Sequence, residues 1–192
     1  GSIDSLSVSY GEAGRPYVLD GTRVESAYDA GSSQYRFEMQ GGRLLLPFKG
    51  CPEFSLMSGT AQFNHASRRV NVPSCRLTTA AGGYLDIKGD WDGSSSSWTA
   101  NMVVNGVPAS SVLEGHWKKH VQGSVSGGID LRGGRDGVTH VAGLARLQGG
   151  MLTGLPVLDR LALFCGSSRF RNLPLHLSLI HISEPTRRRG IS

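Results

Sequence analysis

The chain is poor in cysteine and in charge, has no long apolar run, and each shortage closes off a class of protein. Three cysteines in 192 residues, Cys51, Cys75 and Cys165, make an odd count whose spacing matches no paired C-x-x-C zinc site, so neither a disulfide-dense scaffold nor a structural zinc is expected. A Cys51–Cys75 disulfide is one option in an oxidising compartment. Buried free thiols are the simpler reading, and Cys165 lies in an apolar segment that reads as core. Charged residues make up only 18% of the chain, and no element gathers the clustered cations that nucleic-acid binding needs. Arg68-Arg69 and Trp117-Lys118-Lys119-His120 come nearest and read as solvated loop ends. No apolar run approaches the ~20 residues of a membrane-spanning helix.

Catalytic signatures are missing as well. There is no G-x-S-x-G elbow, no phosphate-binding loop and no G-x-G-x-x-G after a strand. His116 and His120 stand i, i+4, but Trp117 occupies the position at which a metal-binding HExxH helix needs Glu. His65, His140 and His176 add no metal pair. Asp90-Trp91-Asp92-Gly93 begins like a calcium loop, yet Ser94 to Ser97 and Trp98 replace its later ligands, and a type I′ hairpin turn at Asp92-Gly93 explains it better. With carboxylates sparse and turn-bound, no acid/base pair emerges. Neither an enzyme, a metal site nor a cofactor is expected.

What the chain does have is glycine and alternation. Its 27 glycines are about twice the usual share and follow no Gly-X-Y period, which points to many tight turns between short strands. Apolar residues fall on every second position in five places: Leu6, Val8 and Tyr10; Tyr35, Phe37 and Met39; Leu85 and Ile87; Trp98, Ala100, Met102 and Val104; Val125, Ile129 and Leu131. A period of two puts one side of each strand in an apolar environment and the other in water, so the pattern predicts an antiparallel sheet with one wet face. Asp20-Gly21, Gly41-Gly42, Gly82-Gly83, Asp92-Gly93, Asn105-Gly106, Gly133-Gly134, Asp136-Gly137 and Gly149-Gly150 supply candidate hairpin turns. The strands should therefore follow one another as a meander. Two short helices are expected beside it. One runs from Pro108 to Trp117, with Val112 and Leu113 inward. The other runs from Pro156 to about Phe164, with Leu158, Leu161 and Ala162 on one face and Gly166 ending it.

Both ends of the chain read as cuts. Residue 1 is Gly and leads straight into alternating sequence, while Leu177 to Arg187, LSLIHISEPTR, resembles translated sequencing adaptor. On this reading the native segment is 1–176 and residues 177–192 are a non-native tail to be kept out of fold reasoning. Setting aside Arg187, Arg188, Arg189 and Glu184 takes the formal charge from +5 to +3, too little to argue for an anionic polymer as partner.

From Val104 onward the residues resemble a known group. Val104-Asn105-Gly106-Val107-Pro108, the short helix to Trp117, Gln122 to Gly127 and Ile129-Asp130-Leu131 are similar to the AsmA-like bacterial envelope proteins. So are Ala145 to Asp159, Leu161 to Gly166 and Phe170 to Leu175. In that group a glycine-rich strand leads to a G-[LI]-P-hydrophobic-L-D helix and then an F-x-x-L-P-L strand, here Gly154 to Asp159 and Phe170 to Leu175. The match covers 104–176; upstream only the meander agrees. The amino-terminal membrane anchor of that group and everything after His176 are missing from this sequence.

The resemblance implies a mainly β protein, an elongated antiparallel meander curled into a groove with two short helices. It also implies a non-enzymatic role in the periplasm or cell envelope, in lipid transport between membranes or outer-membrane biogenesis, anchored to the inner membrane through the missing amino terminus. The implied partner is phospholipid or another envelope lipid, and the groove-lining candidates are Trp98, Met102, Val104, Val125, Ile129 and Leu131. Two alternatives stand beside it: these residues are the core of a closed sandwich or barrel, or the chain is a structural or adhesive β-rich surface protein whose Gly/Ser-rich strands stack into a dry-cored solenoid with regular repeats.

Overall fold

The computed structural model describes residues 1–12, 15–46, 53–113, 115, 117–135, 137–164, 168, 172–175 and 178–181. Among them twelve strands form one antiparallel sheet: β1 (Ser2–Glu12), β2 (Arg15–Asp29), β3 (Gln34–Gln40), β4 (Arg43–Leu45), β5 (Phe54–Asn64), β6 (Arg69–Thr79), β7 (Tyr84–Asp92), β8 (Ser97–Pro108), β9 (Val121–Gly134), β10 (Gly137–Thr153), β11 (Asn172–Leu175) and β12 (Ser178–His181). Their spatial order, β1-β2-β3-β5-β6-β7-β8-β9-β10-β11, is the chain order with β4 and β12 set aside, so the protein is a mainly β meander as the alternation predicts. All five alternating segments lie in strands: β1, β3, β7, β8 and β9.

Four of the expected hairpin turns are not turns. Gln40 pairs with Arg23 and Arg43 with Asp20, so β3 and β4 are one strand kinked at Gly41-Gly42, which take φ of 70° and 91°. Gly21 (φ 71°), Gly106 (φ 63°) and Gly149 (φ 60°) likewise sit inside β2, β8 and β10, and the ladders shift register beside Gly106 and Gly149. A glycine at positive φ serves a bulge as well as a turn, and only the pairing partner tells them apart. Gly82-Gly83 does join β6 to β7, and Gly133-Gly134 closes β9 before its hairpin to β10.

The true hairpins share another design. The β2–β3, β5–β6 and β7–β8 turns each have four residues, and the last of them, Ser33, Arg68 or Ser96, stands at φ of 53°, 54° or 54°. The residue before each turn is Asp29, Asn64 or Asp92, whose side chain accepts a backbone N–H from Gly31, Ser67 or Ser94. The type I′ turn expected at Asp92-Gly93 is therefore corrected: the left-handed residue is Ser96, held by an Asp-anchored turn. The turns also bond to one another, His65 N–H to Ser33 O at 3.2 Å and Gly93 N–H to Arg68 O at 2.9 Å, forming a row along one end of the sheet.

The helices occupy the other end. α3 spans Pro156–Phe164 as predicted, with Leu158 and Ala162 buried and Leu163 exposed; the side chain of Leu161, like Gly166, lies outside the described residues. The helix expected over 108–117 is instead two single turns, α1 (Ala109–Val112) and α2 (Trp117–His120). Leu113 returns to extended geometry (φ −95°, ψ 145°) and Gly115 takes φ of 60°, so no continuous ladder of i to i−4 bonds can form. Leu113 is half-buried, and the side chain of Val112 is outside the described residues. The carboxy-terminal F-x-x-L-P-L segment is described only from Asn172, as β11 on β10. In the terminal tail, Ser178–His181 do not stand clear of the sheet but pair as β12 with Leu144–Arg146 of β10. An unpaired sheet edge accepts extended backbone of any origin.

The core lies on one side of the sheet. Phe54, Leu56 and Leu77 are buried, and Leu19, Met39, Leu44, Leu46, Cys75, Leu85 and Ile87 pack against them from β2 to β7. The short helices α1 and α2 contact β8 to β10. Burial of Leu77 to 1% exposure thus comes mainly from neighbouring strands, as it does where a sheet curls around its apolar side.

Candidate functional site

Directly paired residues of an antiparallel ladder point to the same face, so register assigns every side chain. Trp91–Trp98–Gly133, Ala100–Leu131, Met102–Ile129, Val104–Gly127 and Val107–Val125 are successive cross-strand pairs of β7, β8 and β9. All six sequence-predicted lining residues, Trp98, Met102, Val104, Val125, Ile129 and Leu131, therefore share one face, and all are half-buried. Two features keep them aligned. The β8 bulge beyond Val104 restores the alternation at Val107, and Trp98 lies over Gly133, which has no side chain to obstruct the ring.

The face extends well beyond those six. Tyr28–Tyr35–Phe63–Val70–Trp91 continue the Trp98 row across β2 to β7. Val24–Met39–Gly59–Cys75–Ile87 continue the Met102 row, and Leu56–Leu77–Leu85 the Val104 row. On β1, Ile3 pairs with Val24, Val8 with Leu19 and Tyr10 with Tyr17. Much of this surface stays open to water: Ile3, Val8, Tyr10, Tyr17, Tyr28, Tyr35, Trp91 and Val138 are all exposed. Sequence reading missed the aromatic row because Tyr28 and Phe63 lie on strands whose alternation it did not find. Tyr28 and Tyr35 lie 4.6 Å apart by ring centroids, and Tyr35 and Phe63 6.4 Å.

The opposite face is mainly polar and internally paired, with Leu45, Val103 and Leu144 exposed among its polar groups. Arg69 meets Asp92 at 2.9 Å, Asn71 meets Asp90 at 2.7 Å, Arg76 grips Asp86 through two bonds of 2.7 Å, and Asn101 meets Asp130 at 2.8 Å. Arg76 also lies over the Tyr84 ring at 4.6 Å. An open depression of about 400 Å³ on this side is lined by Gln62, Asn64, Arg69, Asn71, Asp90 and Asp92, and also touches Trp91 and Trp98. Its charged groups already satisfy one another, so it offers no reactive or ligand-seeking group. The apolar side presents the unsatisfied surface.

Hydrogen bonds set the electrostatics of the polar face. Asp92 accepts from the Ser94 hydroxyl and amide and from Arg69, which together hold its carboxyl well below the usual carboxylate range; Asp86, held by Arg76, and Asp29, held by Ser32 and Gly31, shift the same way. A depressed native pKa contributes stability that is present above the unfolded value, near 3.9, and is lost as pH falls through the native one. Acid unfolding should therefore set in below about pH 4. Asp92→Asn, followed by circular dichroism during acid titration, should make the loss shallower; an unchanged acid limb would show that these bonds carry no linkage.

Cys75 is a free, half-buried thiol whose pKa burial pushes up, while Cys51 and Cys165 lie outside the described residues. His120 shares a 2.8 Å bond with the carbonyl of Thr153, which ties α2 to β10; His116 and His176 lie outside the described residues. Among the described residues no three His, Cys, Asp or Glu side chains are grouped to hold a metal. No described helix is long and apolar enough to cross a membrane, which says nothing about crossing by strands. Compared with known protein families, curated proteins and solved structures, the chain matches none.

Proposed function

We propose that this chain is a non-enzymatic segment of an AsmA-like bacterial cell-envelope protein, whose sheet lays the acyl chains of phospholipid along its apolar face during transport between membranes or outer-membrane biogenesis. The reading places it in the periplasm, on a protein anchored in the inner membrane. One observation carries it: an apolar face runs from β1 to β10, and many of its large side chains remain exposed. Each such side chain left facing water forgoes about 1.5–3 kcal/mol, and a patch of this extent marks an interaction surface. An acyl chain gains about 0.8 kcal/mol per buried methylene. Hydrocarbon thus suits a surface whose exposed polar groups are few, chiefly the hydroxyls of Tyr10, Tyr17, Tyr28 and Tyr35 at its two ends.

The test is direct. The full chain, purified without detergent from a diderm host, is extracted and its lipid quantified by mass spectrometry. Phospholipid should co-purify. Met102→Asp, which places a charge at the centre of the face, should abolish it; Thr99→Asp, on the same strand but on the polar side beside Arg132, should retain it. A folded, monomeric, lipid-free wild type contradicts the proposal. The rival reading, a dry-cored adhesive solenoid, needs regular repetition, and the three alike turns after Asp29, Asn64 and Asp92 recur at unequal intervals.

A further inference from the structure

The two ends of the apolar face are not equivalent. Tyr28, Tyr35, Phe63, Trp91 and Trp98 stand one residue in from the row of turns, and Tyr28, Tyr35 and Trp91 are 54%, 38% and 40% exposed. Rings with an apolar body and a polar tip settle where hydrocarbon meets water. At the other end of the same face lie Leu77, Val107 and the short helices; the aromatics described there, Tyr10, Tyr17 and Phe54, are confined to β1, β2 and β5 and form no row across the sheet.

The turns beyond the aromatic row have an uneven charge. Among the described residues their acids are engaged: Asp29 accepts from Gly31 and Ser32 and lies in the field of Arg36, and Asp92 is bound by Ser94, Ser95 and Arg69, while Asp136 lies outside the described residues. Two of their cations are not. Arg68 and Arg135 are exposed and have no ion-pair partner among the described residues. The Arg68 backbone is fixed, at φ 54° with its carbonyl bonded to Gly93, so its side chain projects from a rigid turn. His65, in the same turn, lies edge-on to Phe63 at 6.3 Å. The β5–β6 and β9–β10 turns are four strands apart, roughly 19 Å at the usual strand spacing, so Arg68 and Arg135 make a row rather than one pocket.

We propose that this end of the sheet takes the polar part of an anionic phospholipid. The phosphate-bearing headgroup faces Arg68 or Arg135, the aromatic row seats the glycerol and ester region, and the acyl chains run from there along the face past Met102 and Val104. The proposal rests on the lipid reading above and adds to it a direction and a headgroup charge.

The test measures binding of short-chain phosphatidylglycerol and phosphatidylcholine of equal chain length to the full chain at low salt, followed by tryptophan fluorescence. Wild type should prefer phosphatidylglycerol. Arg68→Gln and Arg135→Gln should each weaken that lipid about five-fold and leave phosphatidylcholine unchanged, and about 0.5 M salt should erase the preference. Equal affinity for the two lipids, or a preference that survives both substitutions, overturns the headgroup assignment and leaves the apolar-face reading standing. Failure of both lipids to bind overturns the two together.

Discussion

Leu77→Ala should destabilise the fold by about 3 kcal/mol, within the ~2–5 kcal/mol of a fully buried leucine truncation. Leu77 is 1% exposed and packs with Phe54 and Leu56, backed by leucines of β2, β4 and β7. Removing three carbons there loses their transfer free energy and leaves a cavity that the ladder backbone cannot close. Against a total stability of about 5–15 kcal/mol, the loss is a large fraction. Val103→Ala provides the contrast, because Val103 is 43% exposed on the polar face and its truncation should cost less than about 1 kcal/mol. Urea midpoints with unchanged slope would report both. If the two variants fall together, the apolar side is not the interior.

Gly83→Ala should cost about as much, for a different reason. Gly83 takes φ of 77°, and a Cβ there would stand 2.6 Å from both the N and the Cα of Val107. Those are backbone atoms of the β8 bulge, next to the buried Val107 and Ala109, so relief requires displacing the junction of β8 with α1. Left-handed strain of about 1–2 kcal/mol adds to overpacking of about 1–3 kcal/mol. Gly82→Ala isolates the strain: Gly82 has φ of 100° and nothing within 4 Å of its would-be Cβ. Thermal denaturation should show Gly83→Ala losing several degrees more than Gly82→Ala. Equal losses would mean that the β6–β7 turn does not press on β8.

The meander was legible wherever the ladder is regular. Leu85 to Ile87 alternate without interruption and Trp98 to Val104 with a single break at Val103, and β7 and β8 pair without a register shift along their length. β2, β5, β6 and β10 escaped notice because bulges break their period. One falls at Met57, one at Val72-Pro73 and one at Thr139, each shifting the apolar set by one position. Pro73 sits in such a bulge, where a strand tolerates the missing N–H. The same cause turned Gly41-Gly42 and Gly149-Gly150 into apparent hairpins. The first helix was overcalled because Pro108 and the apolar Val112 and Leu113 suggested a helix start, whereas Leu113 and Gly115 had already turned the backbone away.

The candidate surface was legible only in part. Trp98 to Val104 and Val125 to Leu131 declare a common face by period alone, and register unites them. The aromatic row, which gives the face its direction, joins residues 28, 35, 63, 91 and 98 through five separate pairings, two of them by way of Val70. No local pattern encodes such a juxtaposition.

That face holds two of the chain's three tryptophans, Trp91 and Trp98, while Trp117 stands exposed on α2. The decisive measurement is quenching of tryptophan fluorescence by phospholipid brominated along its acyl chains, in a Trp117→Phe variant and in a Trp91→Phe, Trp98→Phe variant. If acyl chains lie along the apolar face, the first variant is strongly quenched and the second is not. Unquenched Trp91 and Trp98, in a protein that remains folded, would contradict the lipid-binding account.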